Sequence, residues 1–377
     1  MFNEGAYTLE VDVFEPSINF ETVSQAADTN KETLKSNGCE GTSIKTRKDQ
    51  KMISKQHSKA LDATNFPHPP RSENQRPVGT LENLSHMLQQ YGVEARYNVI
   101  KKKVELDVPE NKGCSDNLHA AAMSKVYSFA ALNKLPVTQV NAYLDALANA
   151  NPYNPVREWI ESSPWDGIDR LPEFNETLKV PENYPPMLRD ILLRKWLISA
   201  VAAAYTESGF KARGVLTLQG GQGLGKTTWV RNLVSDAALS DAVIRVDHHL
   251  DASNKDSILG AISNWVVEIG ELDSSFKKDV ARLKGFLTSD QDRVRRPYAA
   301  AESEYSRRTV FCATVNDHGF LVDHTGNSRF WTIPVAAVNS KHGIDMQQLW
   351  AQVAEIYKTG EEWWLNQDEE QLLEALN

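Results

Sequence analysis

The sequence predicts an α/β fold in which a parallel sheet is flanked by helices, and three observations carry this prediction. Between residues 211 and 337, apolar runs of strand length alternate with helical or loop segments, as in parallel sheets with crossover helices. These runs cover residues 214–219, 243–247, 264–269, 308–315 and 329–335. Residues 220–227 match the phosphate-binding loop pattern. This loop follows the first run and precedes a potential helix, so we expect it at the carboxyl edge of the sheet, where ligands of such sheets bind.

The loop reads Gly-Gly-Gln-Gly-Leu-Gly-Lys-Thr, and it predicts an anion site. Its backbone N–H groups and the start of the following helix favour negative charge. Lys226 is expected to reach the β- and γ-phosphates of a nucleotide, and the Thr227 hydroxyl to bind Mg²⁺. The alternative is a glycine-rich turn without a nucleotide, which the matching fixed positions and the flanking elements disfavour. We therefore expect ATP and Mg²⁺ as cofactors, with the nucleotide bound by Gly220, Gly221, Gln222, Gly223, Leu224, Gly225, Lys226, Thr227 and Thr228.

The run at 264–269 brings acidic residues to the end of a strand. Glu268 and Glu271 are both suited to catalysis beside a phosphate loop, because one carboxylate could hold the metal and its water while the other orients the attacking water. We predict that Glu268 and Thr227 bind the metal. The sequence leaves open which of the two glutamates orients the attacking water. The alternative for Glu271 is a cap on the following helix.

Two further polar residues are candidates for the catalytic site. Asn316 ends the run at 308–315 and could hold the γ-phosphate or the attacking water, although an Asn in a tight turn is the alternative. Arg329 could neutralise charge in the transition state on the nucleotide of a neighbouring subunit. A surface salt bridge is its alternative, and Arg307 and Arg308 compete for the same role.

A basic cluster at 292–298 is the candidate DNA-binding segment. Its arginines could track phosphates, and its tyrosine could stack on a base. The alternative is an internal salt-bridge network with Asp290, Asp292 and Glu302. The candidate residues are Arg293, Arg295, Arg296 and Tyr298. By contrast, His248, His249, Asp247 and Asp251 match no zinc spacing, so a loop is expected there.

The chain divides into four predicted segments. Residues 1–76 are polar and poor in aromatic residues, which predicts a largely disordered arm or linker. Residues 78–180 are expected to form a small, mostly helical accessory domain. The phosphate-loop core is predicted at 184–340 and a helical segment at 341–377.

Within the accessory domain, helical spacing of Leu81, Leu84, Leu88 and Tyr91 predicts a helix that Thr80 caps. A hairpin is expected at 95–106, followed by helices at about 116–133 and 137–149.

Composition excludes some classes of protein. A net charge of −9 argues against a generally basic nucleic-acid binder, although positive charge can still be concentrated locally. The three cysteines are far apart and favour a reducing compartment. The apolar stretch at 197–205 is too short to span a membrane, and the N-terminus lacks the order of a signal peptide. We therefore expect a cytoplasmic protein.

Several sequence motifs occur together between residues 163 and 331. They are SPWDGIDRL at 163–171, RGV at 213–215, NKD at 254–256, EIGELD at 268–273, LKGF at 283–286, DRVRRPY at 292–298, FLVD at 320–323 and TGNSRFW at 325–331. Together they resemble the virulence-associated protein E family, a group of phage, prophage and pathogenicity-island ATPases similar to superfamily 3 replicative helicases of the AAA+ class. The resemblance covers about residues 150–365, and residues 80–150 more loosely.

This resemblance implies an AAA+-like core and an ATP-driven DNA motor in phage or mobile-element replication. It implies a ring, with six subunits expected, that acts on single-stranded or forked DNA in the cytoplasm of a bacterial host cell. It also implies a sensor role for Asn316 and an arginine-finger role for Arg329. The alternatives are an ATP-gated regulatory or assembly protein, as in phage interference, and a small-molecule kinase, which the missing acceptor-site motif disfavours.

Overall fold

The five apolar runs form the strands of one parallel sheet. This computed structural model describes residues 59–72, 75–112, 115–270, 280–294, 303–316 and 329–376. The strands of the sheet are β5 (Val215–Gln219), β6 (Ile244–His248), β7 (Val266–Ile269), β10 (Val310–Val315) and β11 (Phe330–Pro334). Their order across the sheet is β11-β5-β10-β7-β6, and all neighbours are parallel, so the predicted parallel sheet is confirmed.

Helices cover both faces of this sheet, as the alternation of its side chains requires. Leu216, Val266 and Cys312 belong to the largest hydrophobic cluster, on the face covered by the helix Pro186–Tyr205. Their chain neighbours Val267 and Phe311 point the other way, into a cluster with the helix Val280–Leu287. Because both faces are buried, the strands read as nearly continuous apolar runs.

The remaining α-helices of the described chain range from 5 to 20 residues in length. Before β5 the helices and strands are α1 (Leu81–Gln90), β1 (Glu94–Asn98), β2 (Lys103–Asp107), α2 (Leu118–Leu132), α3 (Val140–Asn149), β3 (Pro152–Tyr153), α4 (Pro155–Ile160), α5 (Leu171–Asn175), β4 (Leu178–Lys179) and α6 (Pro186–Tyr205). After β5 they are α7 (Lys226–Arg231), α8 (Ala237–Val243), α9 (Lys255–Ile262), α10 (Val280–Leu287), β8 (Gln291–Val294), β9 (Ser303–Ser306), β12 (Ala337–Val338), α11 (Met346–Lys358) and α12 (Gln367–Glu374).

Helix α6 is buried around nearly its whole circumference, which explains why its sequence shows no polar stripe. Tryptophans tie it to the sheet through their indole N–H groups. Trp196 donates to the Phe311 carbonyl at 2.9 Å, and Trp265 donates to the Ala200 carbonyl at 2.8 Å. Each buried indole thereby satisfies its single donor. Among the described residues, no helix is long and apolar enough to cross a membrane.

The N-terminal part of the described chain has a hydrophobic cluster of its own. Helices α1, α2 and α3 pack with the antiparallel hairpin β1–β2, and the Thr80 hydroxyl caps α1 by accepting from the Asn83 N–H at 3.3 Å. The predicted hairpin and the three predicted helices are therefore observed. Phe66 is buried in the same cluster, so ordered structure begins upstream of residue 78. Residues 1–58 of the predicted arm lie outside the described residues, and the predicted domain boundaries stay predictions.

Candidate nucleotide-binding site

The loop after β5 is shaped by its glycines. Gly223 and Gly225 have φ values of 83° and 89°, in the left-handed region that favours glycine. At Gly220, a Cβ would lie 2.6 Å from the Val335 carbonyl oxygen, so no side chain fits there. Gly225 stands at the N-terminus of α7, whose first residue is Lys226. The loop therefore wraps the N-terminal end of α7, which is the geometry expected from its sequence.

Lys226 folds back over this loop. Its Nζ donates to the carbonyl oxygens of Gly220 at 2.5 Å and Gly221 at 2.9 Å, and to the Asn316 Oδ1 at 3.2 Å. Burial lowers the pKa of Lys226, and the negative charge of Glu268 opposes this shift. The ammonium group is thus held between the phosphate loop and the carboxyl end of β10.

Glu268 is fully buried at the carboxyl end of β7, and donors surround its carboxylate. Oε1 accepts from the Thr227 hydroxyl at 3.1 Å and from the Thr314 hydroxyl at 2.6 Å. Oε2 accepts from the backbone N–H of Asp247 at 2.9 Å. A loop hydroxyl and a strand carboxylate therefore meet directly, and these are oxygen ligands of the kind that Mg²⁺ prefers.

Most of the predicted residues line a cavity of about 930 Å³, whereas Gly220, Gly221 and the buried Glu268 are not among its lining residues. Its lining includes the loop from Gln222 to Thr228 together with Thr314 and Asn316 from the end of β10. Because β10 lies between β5 and β7, it carries Asn316 into the space between the loop and Glu268. Glu271 lies outside the described residues.

Asp247 and His249 also line this cavity, and the sequence reasoning did not assign them to the site. The register of β6 shifts between Arg245 and His248, and Asp247 within this bulge has a φ of 52°. Bulges beside active sites commonly re-aim a backbone or side-chain group. Here the bulge directs the Asp247 N–H at Glu268. The signal available in the sequence was the position of Asp247 at the end of an apolar run, the edge where ligands of parallel sheets bind.

Arg329 lies at the opposite end of the sheet. It immediately precedes β11, whose first residue Phe330 pairs with Val215 at the start of β5. The phosphate loop begins after the last residue of β5, so the length of the strand, about 13 Å, separates the two ends. Arg329 lines a different cavity of about 560 Å³, together with Lys211, Arg213 and Trp364.

The other basic candidate residues occupy different environments in the fold. Arg293 is exposed on β8 and pairs with Glu304 at 2.7 Å, whereas Arg307 is buried and pairs with Asp292 at 2.6 Å. Arg308 donates to the carbonyl oxygens of Thr206 and Glu207. Arg307 is thus enclosed in the core and is not positioned to reach another subunit. Arg295, Arg296 and Tyr298 lie outside the described residues.

Fold and site together define a class of protein, namely a parallel α/β protein with a glycine-rich loop beside a buried carboxylate. The chain belongs to the virulence-associated protein E-like family, because the family model for the virulence-associated protein E-like domain matches residues 160–377. A comparison with curated proteins finds no match.

Solved structures with a similar chain include apo forms of the NrS-1 C terminal region. The A form of this region is 16% identical, with 78% of this chain and 74% of that chain covered and a TM-score of 0.41. A second A form, of residues 305–718, is 15% identical, with 77% and 70% covered and a TM-score of 0.41. A further apo structure of residues 305–718 is 16% identical, with the same shares covered and a TM-score of 0.37.

Proposed function

We propose that the chain is a Mg²⁺-dependent ATPase with an AAA+-like core, and that it drives a DNA helicase or translocase in phage or mobile-element replication. The observation that carries the proposal is the contact between the Thr227 hydroxyl and the buried Glu268 carboxylate, directly beside Lys226. A glycine-rich turn without a nucleotide has no need of a buried carboxylate at this point. Burying a carboxylate is costly unless donors or a cation compensate it.

The residues divide the proposed chemistry between them. The loop N–H groups and the ammonium of Lys226 would bind the phosphates, while Thr227 and Glu268 would hold Mg²⁺ and its water. When bound there, Mg²⁺ would supply positive charge against the negative charge of the phosphates. Asn316 lies within hydrogen-bonding distance of the Lys226 ammonium and orients the γ-phosphate or the attacking water. Glu271 is the remaining candidate for activating that water.

The position of Arg329 supports a ring with shared sites. Because it stands at the opposite end of the sheet from Lys226, it cannot act on the nucleotide bound to its own subunit without a large rearrangement. In a head-to-tail ring, the same residue would face the loop of the next subunit. We infer that Arg329 supplies positive charge in trans, and that DNA passes along the ring.

Substitution of Lys226 tests the ATPase proposal. Lys226→Ala should lower ATP turnover by about 10²-fold or more, because it removes a charged donor to the transition state. Lys358→Ala is the matched control, since Lys358 is exposed on α11 and pairs only with Glu355 among the described residues. Thermal unfolding of both variants shows whether the fold is retained. Undiminished ATP turnover in a folded Lys226→Ala protein would contradict the proposal.

A strand-displacement assay on forked DNA separates a motor from an ATP-gated switch. The proposal expects ATP-dependent displacement that Lys226→Ala abolishes, and ATPase activity that single-stranded DNA stimulates. ATP turnover without displacement, and without stimulation by DNA, would favour the regulatory alternative.

A further inference from the structure

Consecutive lysines lie at the turn of the β1–β2 hairpin. Asn98 pairs with Lys103 where the two strands end, so residues 99–102 form the turn. The Asn98 side chain fixes its shape, because Oδ1 accepts from the backbone N–H groups of Ile100 at 3.0 Å and Lys101 at 2.9 Å. The backbone that carries the lysines is therefore held in a defined conformation.

This turn is anchored against the sheet and the β8–β9 hairpin. Ile100 is fully buried in the largest hydrophobic cluster, to which α6 and strands of the sheet also contribute. Lys102 is 2% exposed, and its Nζ donates to the Ser306 carbonyl of β9 at 3.3 Å. The same Nζ lies 5.8 Å from the ring centroid of Tyr305. The two neighbouring lysines therefore lie at the junction between the turn and the core of the molecule.

Arg245 adds a cation from the core. It is exposed on β6, and its Nε donates to the His248 Nδ1 at 3.1 Å. Burial lowers the pKa of His248, so this partner is neutral near pH 7. In the part of the chain that the structure describes, neither Arg245 nor Lys101 forms an ion pair with a carboxylate. Their positive charges are therefore not compensated by a direct acidic partner.

The charges at this junction repel one another. Burial lowers the pKa of Lys101, and the positive charges of Lys103 and Arg245 act in the same direction, against the opposing charge of Glu105. Glu105 itself accepts from the Tyr153 hydroxyl and pairs with Lys103 at 3.7 Å. One carboxylate therefore faces several cations, and the surroundings disfavour the charged form of Lys101.

A polyanion is the ligand that such a cluster suits. Crowded like charges cost folding free energy, and a bound anion offsets that cost. The chain has a net charge of −9, so this cluster is a local exception. A nucleic-acid strand presents phosphates in a row and neutralises several cations at once. The β8–β9 hairpin favours this partner, because it adjoins the turn and carries the exposed Arg293, which the sequence predicts to bind DNA.

We propose that Lys101, Lys103 and Arg245, the junction cluster, bind backbone phosphates of single-stranded DNA. This inference rests on the proposed function, because it takes DNA as the partner. It adds a contact surface outside the nucleotide cavity, formed by the β1–β2 turn and β6. Because the contacts are to phosphates, this binding does not depend on base sequence.

The test measures binding of fluorescein-labelled oligo-dT to the full chain by fluorescence anisotropy, without nucleotide and at a series of salt concentrations. The double variant Lys101→Gln, Arg245→Gln loses two phosphate contacts. The slope of log affinity against log salt concentration should become shallower by about 1.4, since each contact with a single strand contributes about 0.7. At about 50 mM salt, the affinity should fall by about ten- to a hundredfold.

The double variant Lys179→Gln, Lys358→Gln is the matched control. It also removes two positive charges, and both lysines are exposed and paired with carboxylates. This control should bind oligo-dT with wild-type affinity and slope. Thermal unfolding gives a second measurement, because Lys101→Gln removes a repelled charge and should leave the Tm unchanged or raise it. A clear drop in Tm would contradict the repulsion on which the inference depends.

Other outcomes would overturn the inference. The junction double variant could bind oligo-dT like the wild type, or the control could lose as much affinity, which would show that net charge alone acts. If the junction variant lost binding of poly-glutamate but kept that of oligo-dT, the cluster would be a docking surface for acidic protein segments. A wild type that binds no oligo-dT at any salt concentration would instead refute the DNA partner of the proposed function, so the two failures are distinguishable.

Discussion

The backbone conformation of Asp247 provides a hydrogen bond to the Glu268 carboxylate in the candidate site. Its φ of 52° is uncommon for a residue with a side chain, and it turns the backbone N–H towards Glu268. Gly270 permits this bend, because a Cβ there would lie 3.0 Å from the Asp247 Cα. The backbone strain is therefore local, and the hydrogen bond from the Asp247 N–H to the Glu268 carboxylate offsets it. Hydrogen bonds to a charged acceptor are stronger than those between neutral groups.

Substitutions at Asp247 should separate backbone strain from side-chain chemistry. Asp247→Gly keeps the N–H and adopts positive φ freely, so its free energy of unfolding should stay within about 0.5 kcal/mol of the wild type, since relieved strain offsets added chain entropy. Asp247→Val should cost about 1–2 kcal/mol, because a β-branched residue resists this conformation. Urea denaturation measures both. Equal stability of the two variants would contradict the strain assignment.

His248 makes the stability of the fold depend on pH. Burial lowers the pKa of His248, with the charges of Arg245 and His249 acting in the same direction and its hydrogen bond to the Ser257 carbonyl opposing them. Its folded pKa therefore lies below its unfolded value of about 6.5, and the unfolded chain binds more protons in between. The free energy of unfolding should fall as the pH drops below about 6.5, down to the folded pKa.

The variant His248→Gln should show a shallower fall over this pH window, measured by denaturation at a series of pH values. Some dependence should remain, because burial also lowers the pKa of His342. A slope identical to that of the wild type would mean that His248 does not titrate differently in the folded and unfolded chain.

At the scale of elements, the β8–β9 hairpin has one buried ion pair and one exposed ion pair. Arg307 is 0% and Asp292 5% exposed at the side chain, and they form two hydrogen bonds at 2.6 and 2.7 Å. Arg293 and Glu304 pair across the same hairpin but are 71% and 56% exposed. The sequence predicts either a DNA-binding surface or an internal salt-bridge network in this segment. The structure buries Asp292 and exposes Arg293, because alternate residues of a strand face opposite sides, and DNA binding by this segment stays a prediction.

The two pairs should differ sharply in their effect on stability. Asp292→Ala leaves the buried guanidinium of Arg307 without its carboxylate and should cost about 3–5 kcal/mol. Glu304→Ala removes an exposed partner and should cost at most about 1 kcal/mol. Chemical denaturation of the two variants makes the comparison. A small effect at Asp292 would show that the guanidinium finds another partner or solvent.

At the scale of the whole molecule, the proposed site is spread over both ends of the sheet. Lys226, Glu268 and Asn316 share the carboxyl edge, whereas Arg329 stands at the amino end. One chain therefore presents the proposed nucleotide cavity at one end and a cavity lined by Lys211, Arg213 and Arg329 at the other, which suits the proposed head-to-tail contacts between copies.

Mixtures of wild-type and Arg329→Ala chains test this arrangement. We expect the arginine to act in trans within a ring whose subunits hydrolyse ATP in a coordinated way. The relative loss of ATP turnover should then exceed the fraction of variant chains in the mixture. Lys358→Ala mixtures are the control and should show full turnover at every ratio. If ATP turnover fell in strict proportion to the fraction of Arg329→Ala chains, the result would contradict a site that is shared between coordinated subunits.

The sequence by itself determined the sheet, the glycine loop and the acidic strand end. These features depend on local signals, namely apolar runs of strand length, glycines where φ is positive, and polar residues where a run stops. The tertiary structure alone decided that β10 separates β5 from β7, which puts Asn316 between Lys226 and Glu268. It also decided that Asp247 supports Glu268 and that Arg307 is buried. Strand order, bulges and burial arise from contacts between residues far apart in the chain, and no local pattern encodes them.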